Sequence, residues 1–228
     1  MKRSNPATIL VLLMLAFGLG ACASSESKDD QQALVENAHA SAKRFAADPD
    51  MTWFRDNLDD AEGILIIPTM VKGGYIIGGS GGSGVMLARH PDLGWSYPAF
   101  YTMGSVTLGL QIGGEVSEIV LVIMSKAGRD AMLTDEIKLG GDVSVAAGPV
   151  GAGAKAQTAD VLAFSRTKGG LYGGLNIEGA AIATREDWNR AYYGKDVRAV
   201  DILITGTASN PGADPLRETI ANVNTTSD

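Results

Sequence analysis

Ser80 stands between glycines, in Gly78-Gly79-Ser80-Gly81-Gly82, with the spacing of a nucleophile elbow, where a tight strand-to-helix turn presents a hydroxyl to an acyl carbon. That chemistry needs an acid and then a histidine further along the chain. The histidines are His39 and His90, and His90 lies only ten residues past Ser80, so the order does not fit a hydrolase triad. Residues 79–84 also match G-x-G-x-x-G, whose glycines let a pyrophosphate approach a helix N-terminus. Here the motif runs into Val85-Met86-Leu87-Ala88-Arg89-His90-Pro91, a strand-like segment stopped by proline, with no acidic residue where a ribose partner belongs. Ser165-x-x-Lys168 has the spacing of a serine–lysine acyl-enzyme pair, but it reads as strand and its usual K-T-G companion is absent. Two histidines fifty-one positions apart and a single cysteine make no zinc set. The carboxylate pairs Asp59-Asp60 and Asp135-Glu136 fall near helix ends, where solvated charge is the ordinary role. The expectation is a non-enzymatic chain with no catalytic residue, no metal site and no cofactor.

The cysteine, Cys22, carries the clearest chemistry. Met1-Lys2-Arg3 precedes an uncharged apolar run over 7–21, the pattern of an export signal. As a helix that run would be about 22 Å long, short of the roughly 30 Å hydrocarbon core of a membrane. Leu19-Gly20-Ala21-Cys22 resembles a lipobox, in which small residues precede the cysteine that takes a diacylglyceryl thioether. Residues 1–21 are therefore expected to be a lipoprotein signal peptide, and Cys22 the acylated first residue of the mature chain. Each buried CH₂ contributes about 0.8 kcal/mol, so two or three acyl chains hold a protein at a membrane. Ala23 in place of aspartate after the cysteine points to the outer membrane, facing the periplasm.

Losing Lys2 and Arg3 with the leader takes the 19 basic residues to 17 against 26 acidic ones, a formal charge of −9, which argues against nucleic acid as a partner. Residues 22–32 are polar and read as a flexible tether, 33–207 as one domain, and 208–228 as a C-terminal segment with a short helix and a frayed tail. Leu34, Ala38, Ala42 and Phe45 fall at helical spacing over 33–47. A second short helix is expected through Trp53, Phe54 and Leu58, with Pro49 in a first turn and Gly63 as its stop.

From Gly63 onward the texture is short apolar runs cut by glycines: 64–67, 75–79, 85–89, 99–103, 106–112 and 119–124. The last is continuously apolar and so suits a strand buried on both faces. A helix over 125–133 interrupts, and strands resume at 143–147, 161–165 and 171–177. Thr184-Arg185-Glu186-Asp187 has the form of a capping box for a helix stopped by Gly194, and Asp214-Pro215 opens a last helix with Leu216, Ile220 and Val223 on one face. The fold class is α+β: a glycine-rich, mainly antiparallel, layered or barrel-like sheet with an N-terminal helix and a few packing helices. Residues 72–89 and 168–185 echo each other, each opening on Lys-Gly-Gly and closing on Arg, as two related hairpins or as common turn chemistry.

In order along the chain, GILIIPTMVKGGYIIGGSGGSGVMLAR (63–89), WSYPAFYTMGSVTLGLQIGGEVSEIVLVIM (95–124), KLGGDVSVAAGPVG (138–151), AFSRTKGGLYGGLNIEGAAI (163–182) and NRAYYGKDV (189–197) resemble the SYLF-domain family. The resemblance implies a module that binds phosphoinositides and membranes, with actin binding in eukaryotic members, and so binding in place of catalysis. It places lipid contact at an amphipathic first helix and basic residues, which here are Lys43 and Arg44 of 33–47 and the Lys72-Gly73-Gly74 and Lys168-Gly169-Gly170 turns. Each Lys-Gly-Gly is read as an ammonium beside a backbone nest for an anion. The partners expected are membrane lipid through acylated Cys22, anionic head groups, and alternatively an envelope protein met by the sheet.

Overall fold

Glycine-punctuated apolar runs and flanking helices assemble into a curled, mostly antiparallel sheet with helices on it, the α+β class expected. The computed structural model describes residues 28–74, 77–108, 113–148, 158–167 and 177–223. Helix α1 is Lys28–Ala47, followed by a 3₁₀ turn at Pro49–Met51, α2 at Thr52–Asn57 and a second turn at Leu58–Asp60. The strands are β1 Gly63–Gly74, β2 Ile77–His90, β3 Gly94–Trp95, β4 Ala99–Leu108, β5 Gly113–Ile123, β6 Glu136–Lys138, β7 Val145–Ala147, β8 Val161–Thr167 and β9 Ala181–Thr184. Helix α3 (Lys126–Ala131) follows β5, and α4 (Glu186–Tyr193), α5 (Ala199–Leu203) and α6 (Asp214–Ala221) follow β9. The sheet order is β6-β9-β4-β2-β1-β5-β8-β7, with β3 paired to β2 and only β7–β8 parallel.

Helix α1 starts five residues before the spacing predicts, so 28–32 belong to the folded body and not to the tether. Asp29 and Asp30 suit its first turn, Gln31 is buried, and Gln32 receives the Tyr192 hydroxyl while donating to the Gly212 carbonyl. The stripe Val35, Ala38, Ala42 and Phe45 lies against the sheet. At the other end, Leu216, Ile220 and Val223 join the same core, so the expected C-terminal helix is an integral layer. Thr184 ends β9 and Arg185 takes the N-cap place of α4, while Gly194 stops that helix in the left-handed conformation, φ 66°.

Two cores lie on opposite faces of the sheet. Ile64, Ile66, Val85, Phe100, Val120 and Val122 face α1, α4 and α6. Leu65, Ile67, Met86, Tyr101 and Leu121 belong to the second core, with Ile137 of β6, Leu139 just after it, and Ala199, Ile202 and Leu203 of α5. The expectation for 119–124 holds over Ile119 to Ile123, where β5 is covered on both sides, while Met124 falls just past the strand and is half-buried. The runs 75–79 and 85–89 are not separate strands: the described part is one long β2, its glycines bridging the gap, and the start of 106–112 likewise continues β4. Residues 171–176 lie outside the described residues.

Pro68 sits inside central strand β1, where its missing N–H cannot serve a ladder, and the pairing gains one residue there: Ile67 faces Ile119 but Met70 faces Ser117. The bulged backbone presses on β2, so a Cβ on Gly82 would lie 2.4 Å from the Thr69 carbonyl and one on Gly84 2.5 Å from that of Ile66. Gly84→Ala should accordingly destabilise the protein by about 2–3 kcal/mol, within the usual range for overpacking; urea unfolding reads the difference, and an unchanged midpoint would remove this account of the glycine.

Asp160 ties three elements together. One carboxylate oxygen accepts from the Ser125 hydroxyl at 2.5 Å, and the other accepts from the Ser144 hydroxyl at 2.6 Å. Ser125 in turn accepts from the Gly128 amide as the N-cap of α3. The Ser125 bond first, then those from Ser144, hold the Asp160 carboxyl below its ordinary range. A depressed folded-state value contributes stability that is full above the unfolded carboxylate range and is lost as pH falls through the folded value. The stability gap between the natural chain and Asp160→Asn should therefore narrow as pH drops below about 4; parallel acid titrations of both proteins, monitored by circular dichroism, check it.

Candidate binding surface

The four central strands outrun their cover. Burial ends near Met70 on β1, Val85 on β2, Met103 on β4 and Ser117 on β5, and beyond these residues the ladders continue into an exposed end of the sheet. Glu118 defines the faces, since its carboxylate meets Ser41 and Arg44 of α1. Alternation then sends Val116 and Gly114 to the α1 face and Ser117 and Glu115 to the other.

On the face away from α1, Ser105, Ser80, Lys72 and Glu115 stand in register across β4, β2, β1 and β5. The Ser80 and Ser105 hydroxyls are 2.8 Å apart. Ser80 thus lies mid-strand with a serine partner and has no elbow geometry. His39 bonds to Thr219 at 2.9 Å, and the His90 ring accepts from the Asp92 and Leu93 amides. Burial, and then Lys43, push the His39 pKa down. Among the described residues no three His, Cys, Asp or Glu side chains gather into a metal-holding group, and no helix is long and apolar enough to cross a membrane.

The basic residues singled out by sequence do not converge. Lys43 and Arg44 are on α1, whereas Lys72 projects from the opposite face of the sheet. Arg44 is engaged with Glu118 at very short range, and Arg166 approaches the same carboxylate at 3.6 Å and Asp48 at 3.6 Å. This cluster pins the C-terminal half of α1 to β5 and β8. Lys43 is exposed and Lys72 half-buried, and neither has a carboxylate within ion-pair distance among the described residues. Gly73 and Gly74 form no anion nest. Both lie inside the ladder, Gly73 between Gly79 and Gly114 and Gly74 between Gly78 and Gly113, and neither has positive φ. Lys168, Gly169, Gly170 and Cys22 lie outside the described residues. Thr167, just before Lys168, pairs with Ser117, itself paired with Met70.

Of the 72–89 and 168–185 echo, residues 75–76 and 168–176 are likewise outside the described residues. Its closing arginines share a role: Arg89 lies 4.2 Å over the Trp95 ring and Arg185 4.1 Å over Trp188. Sequence reasoning missed the pairing of Ser80 with Ser105 and the exposure of Val71 and Val106, 54% and 80% accessible on the α1 face. Alternation along β2 and β4, which pair without a register shift, accounts for Ser80, Ser105 and Val106, whereas the face of Val71 follows only once the extra residue at Pro68 is counted.

Residues 104–223 match the family model described as Ysc84, Las17-binding protein actin regulator. The chain belongs to this family. It is 38% identical over 167 residues to Protein YSC84 of Saccharomyces cerevisiae, covering 70% of this chain and 35% of that protein. Against the SH3 domain-containing protein PJ696.02 of Schizosaccharomyces pombe the identity is 37%, over 70% of this chain and 38% of the other. Against the human SH3 domain-containing YSC84-like protein 1 it is 33%, over 69% and 47% respectively. The chain thus spans less than half the length of these relatives. The SYLF resemblance carried by the quoted blocks is the same family.

The Glu118 cluster decides how firmly α1 is held. Glu118→Ala leaves two guanidinium groups facing each other and should cost about 1–3 kcal/mol, discounted for the partial exposure of Arg44. Hydrogen exchange should accelerate in the second half of α1 before it does in β1; uniform exchange along the chain would show that the cluster does not hold the helix.

Proposed function

We propose that this Ysc84-family chain is a non-catalytic binding module of the cell envelope, acylated at Cys22 and facing the periplasm from the outer membrane, whose sheet engages anionic lipid head groups. The observation that carries the reading is the half-exposed row at the end of the sheet: an ammonium, Lys72, beside the hydroxyl of Ser80, with Ser105 next to it. The ammonium and the one hydroxyl hydrogen left over from the Ser80–Ser105 bond supply donors that a phosphate oxygen accepts, and the neighbouring Gly74 and Gly78 lack side chains that would hold a head group away. Glu115 stands in register on the other side of Lys72 and repels an anion there, so a head group would approach from the Ser80 side. The apolar stripe of α1 is packed on the sheet, which supports surface contact in place of insertion by that helix.

Co-sedimentation of the chain starting at residue 23 with neutral and anionic vesicles tests this. Binding to anionic vesicles alone is expected, falling about five- to tenfold in Lys72→Glu and further when Lys168→Glu is added, given about 1 kcal/mol per basic residue near an anionic surface. Equal recovery with and without vesicles would overturn the lipid reading. A second reading, in which the sheet meets an envelope protein, is favoured by the names of relatives, since the family description and the yeast LAS seventeen-binding protein 3 both name a protein partner. A single dominant adduct on crosslinking intact envelopes, unchanged by the lysine substitutions, selects that reading.

A further inference from the structure

Val71 and Val106 are the two most exposed large apolar side chains among the described residues, and they share one sheet face. In register across β4, β2, β1 and β5, that face reads Gly104, Gly81, Val71, Val116 in one row and Val106, Gly79, Gly73, Gly114 in the next. These eight positions carry three valines, five glycines and no polar side chain, and the next row inward on the same face opens with Thr102 and Ser83. The fold does not ask for these glycines. None has positive φ, and a Cβ built on Gly73, Gly79, Gly81, Gly104 or Gly114 meets nothing closer than 3.4 Å, unlike Gly82 and Gly84 on the opposite face. Glycine within a strand weakens it and marks a place where another backbone comes close.

We infer that this face is a contact between two copies of the chain. The pattern is complementary to itself. With a two-fold axis along the strands, between β1 and β2, Val71 of one copy falls on Gly81 of the other, Val116 on Gly104, and Val106 on Gly114, while Gly73 meets Gly79. Every valine finds a socket where a side chain is missing. A two-fold contact requires self-complementarity of this kind. A fluid bilayer has no register to match and would gain from larger side chains in the sockets, so the pattern specifies a rigid partner. The eight residues cover about 260 Å² per copy, from strand and residue spacings of roughly 4.8 and 6.8 Å, well below the about 800 Å² per partner of a standard complex. The association is therefore weak in free solution and strengthens where copies are crowded on one surface.

Filling the sockets separates this contact from the fold. Residues 28–223 contain both cores, so the chain starting at residue 23 serves for sedimentation equilibrium up to about 1 mM, the weak end of specific association. The natural chain should show a monomer–dimer equilibrium. Gly81→Val with Gly104→Val should raise its dissociation constant at least tenfold without lowering the thermal midpoint of the monomer, since a β-branched residue suits an open strand. A natural chain that stays monomeric, or variants that dimerise equally well, would overturn the inference. So would a fall in the midpoint, which would make the glycines a need of the monomer. Loss of vesicle binding in the variants with the dimer intact would make the face a membrane contact and overturn it too.

Discussion

The missing N–H of Pro68 in the central strand organises much else in this molecule. β1 pairs on both sides, so a residue without a donor must be accommodated against β2 and β5 together, and it is accommodated as one extra residue. Because side chains alternate along a strand, that residue reverses the faces of everything after it. Val71 turns toward the α1 side and Lys72 away from it. The same displaced backbone leaves no room for side chains at Gly82 and Gly84. One proline thus sets which face of the exposed end Val71 and Lys72 occupy, beside neighbours on β2, β4 and β5 that alternate without interruption.

The two halves are stabilised differently. In the covered half, apolar side chains of successive residues enter two cores, and neither could persist without helices on its own side. Arginines fasten the cover: Arg217 reaches the Trp95 carbonyl at 2.8 Å and lies over Tyr97, Arg89 reaches the Leu58 carbonyl at 2.9 Å, and Arg129 pairs with Glu62 at 2.7 Å. Tyr101, fully buried with its hydroxyl donating to the Met132 carbonyl, has its pKa pushed up by burial and acts as a neutral strut. The exposed half has ladder hydrogen bonds and few side-chain contacts, an arrangement suited to a surface that meets something else.

Much of this was legible in the residues. The unbroken apolar run at 119–123 announced a strand covered on both faces, the alanine and phenylalanine spacing of α1 announced its packing, and Gly194 announced the end of α4. Short elements escaped notice: β6 and β9 have three and four residues, and α5 has five, too few for periodicity to speak. The α1 start was hidden because Lys28 to Gln32 are polar, and their place in the fold comes from contacts to Tyr192 and Gly212, far along the chain. The faces of the basic residues were illegible for a different reason. Lys43, Arg44 and Lys72 look equivalent as a list of charges, and only the bulge and the Glu118 cluster separate them.

The early start of α1 also sets a length scale. Cys22 and Lys28 are six residues apart, which even fully drawn out span about 20 Å, less than the roughly 30 Å of the twenty-residue helix itself. With acyl chains on Cys22, as proposed, the folded body would ride on a leash shorter than its own first element. It would be free to turn but not to stand off, so which side of the body meets the lipid, and which looks outward to neighbours, becomes a matter of orientation about one short pivot.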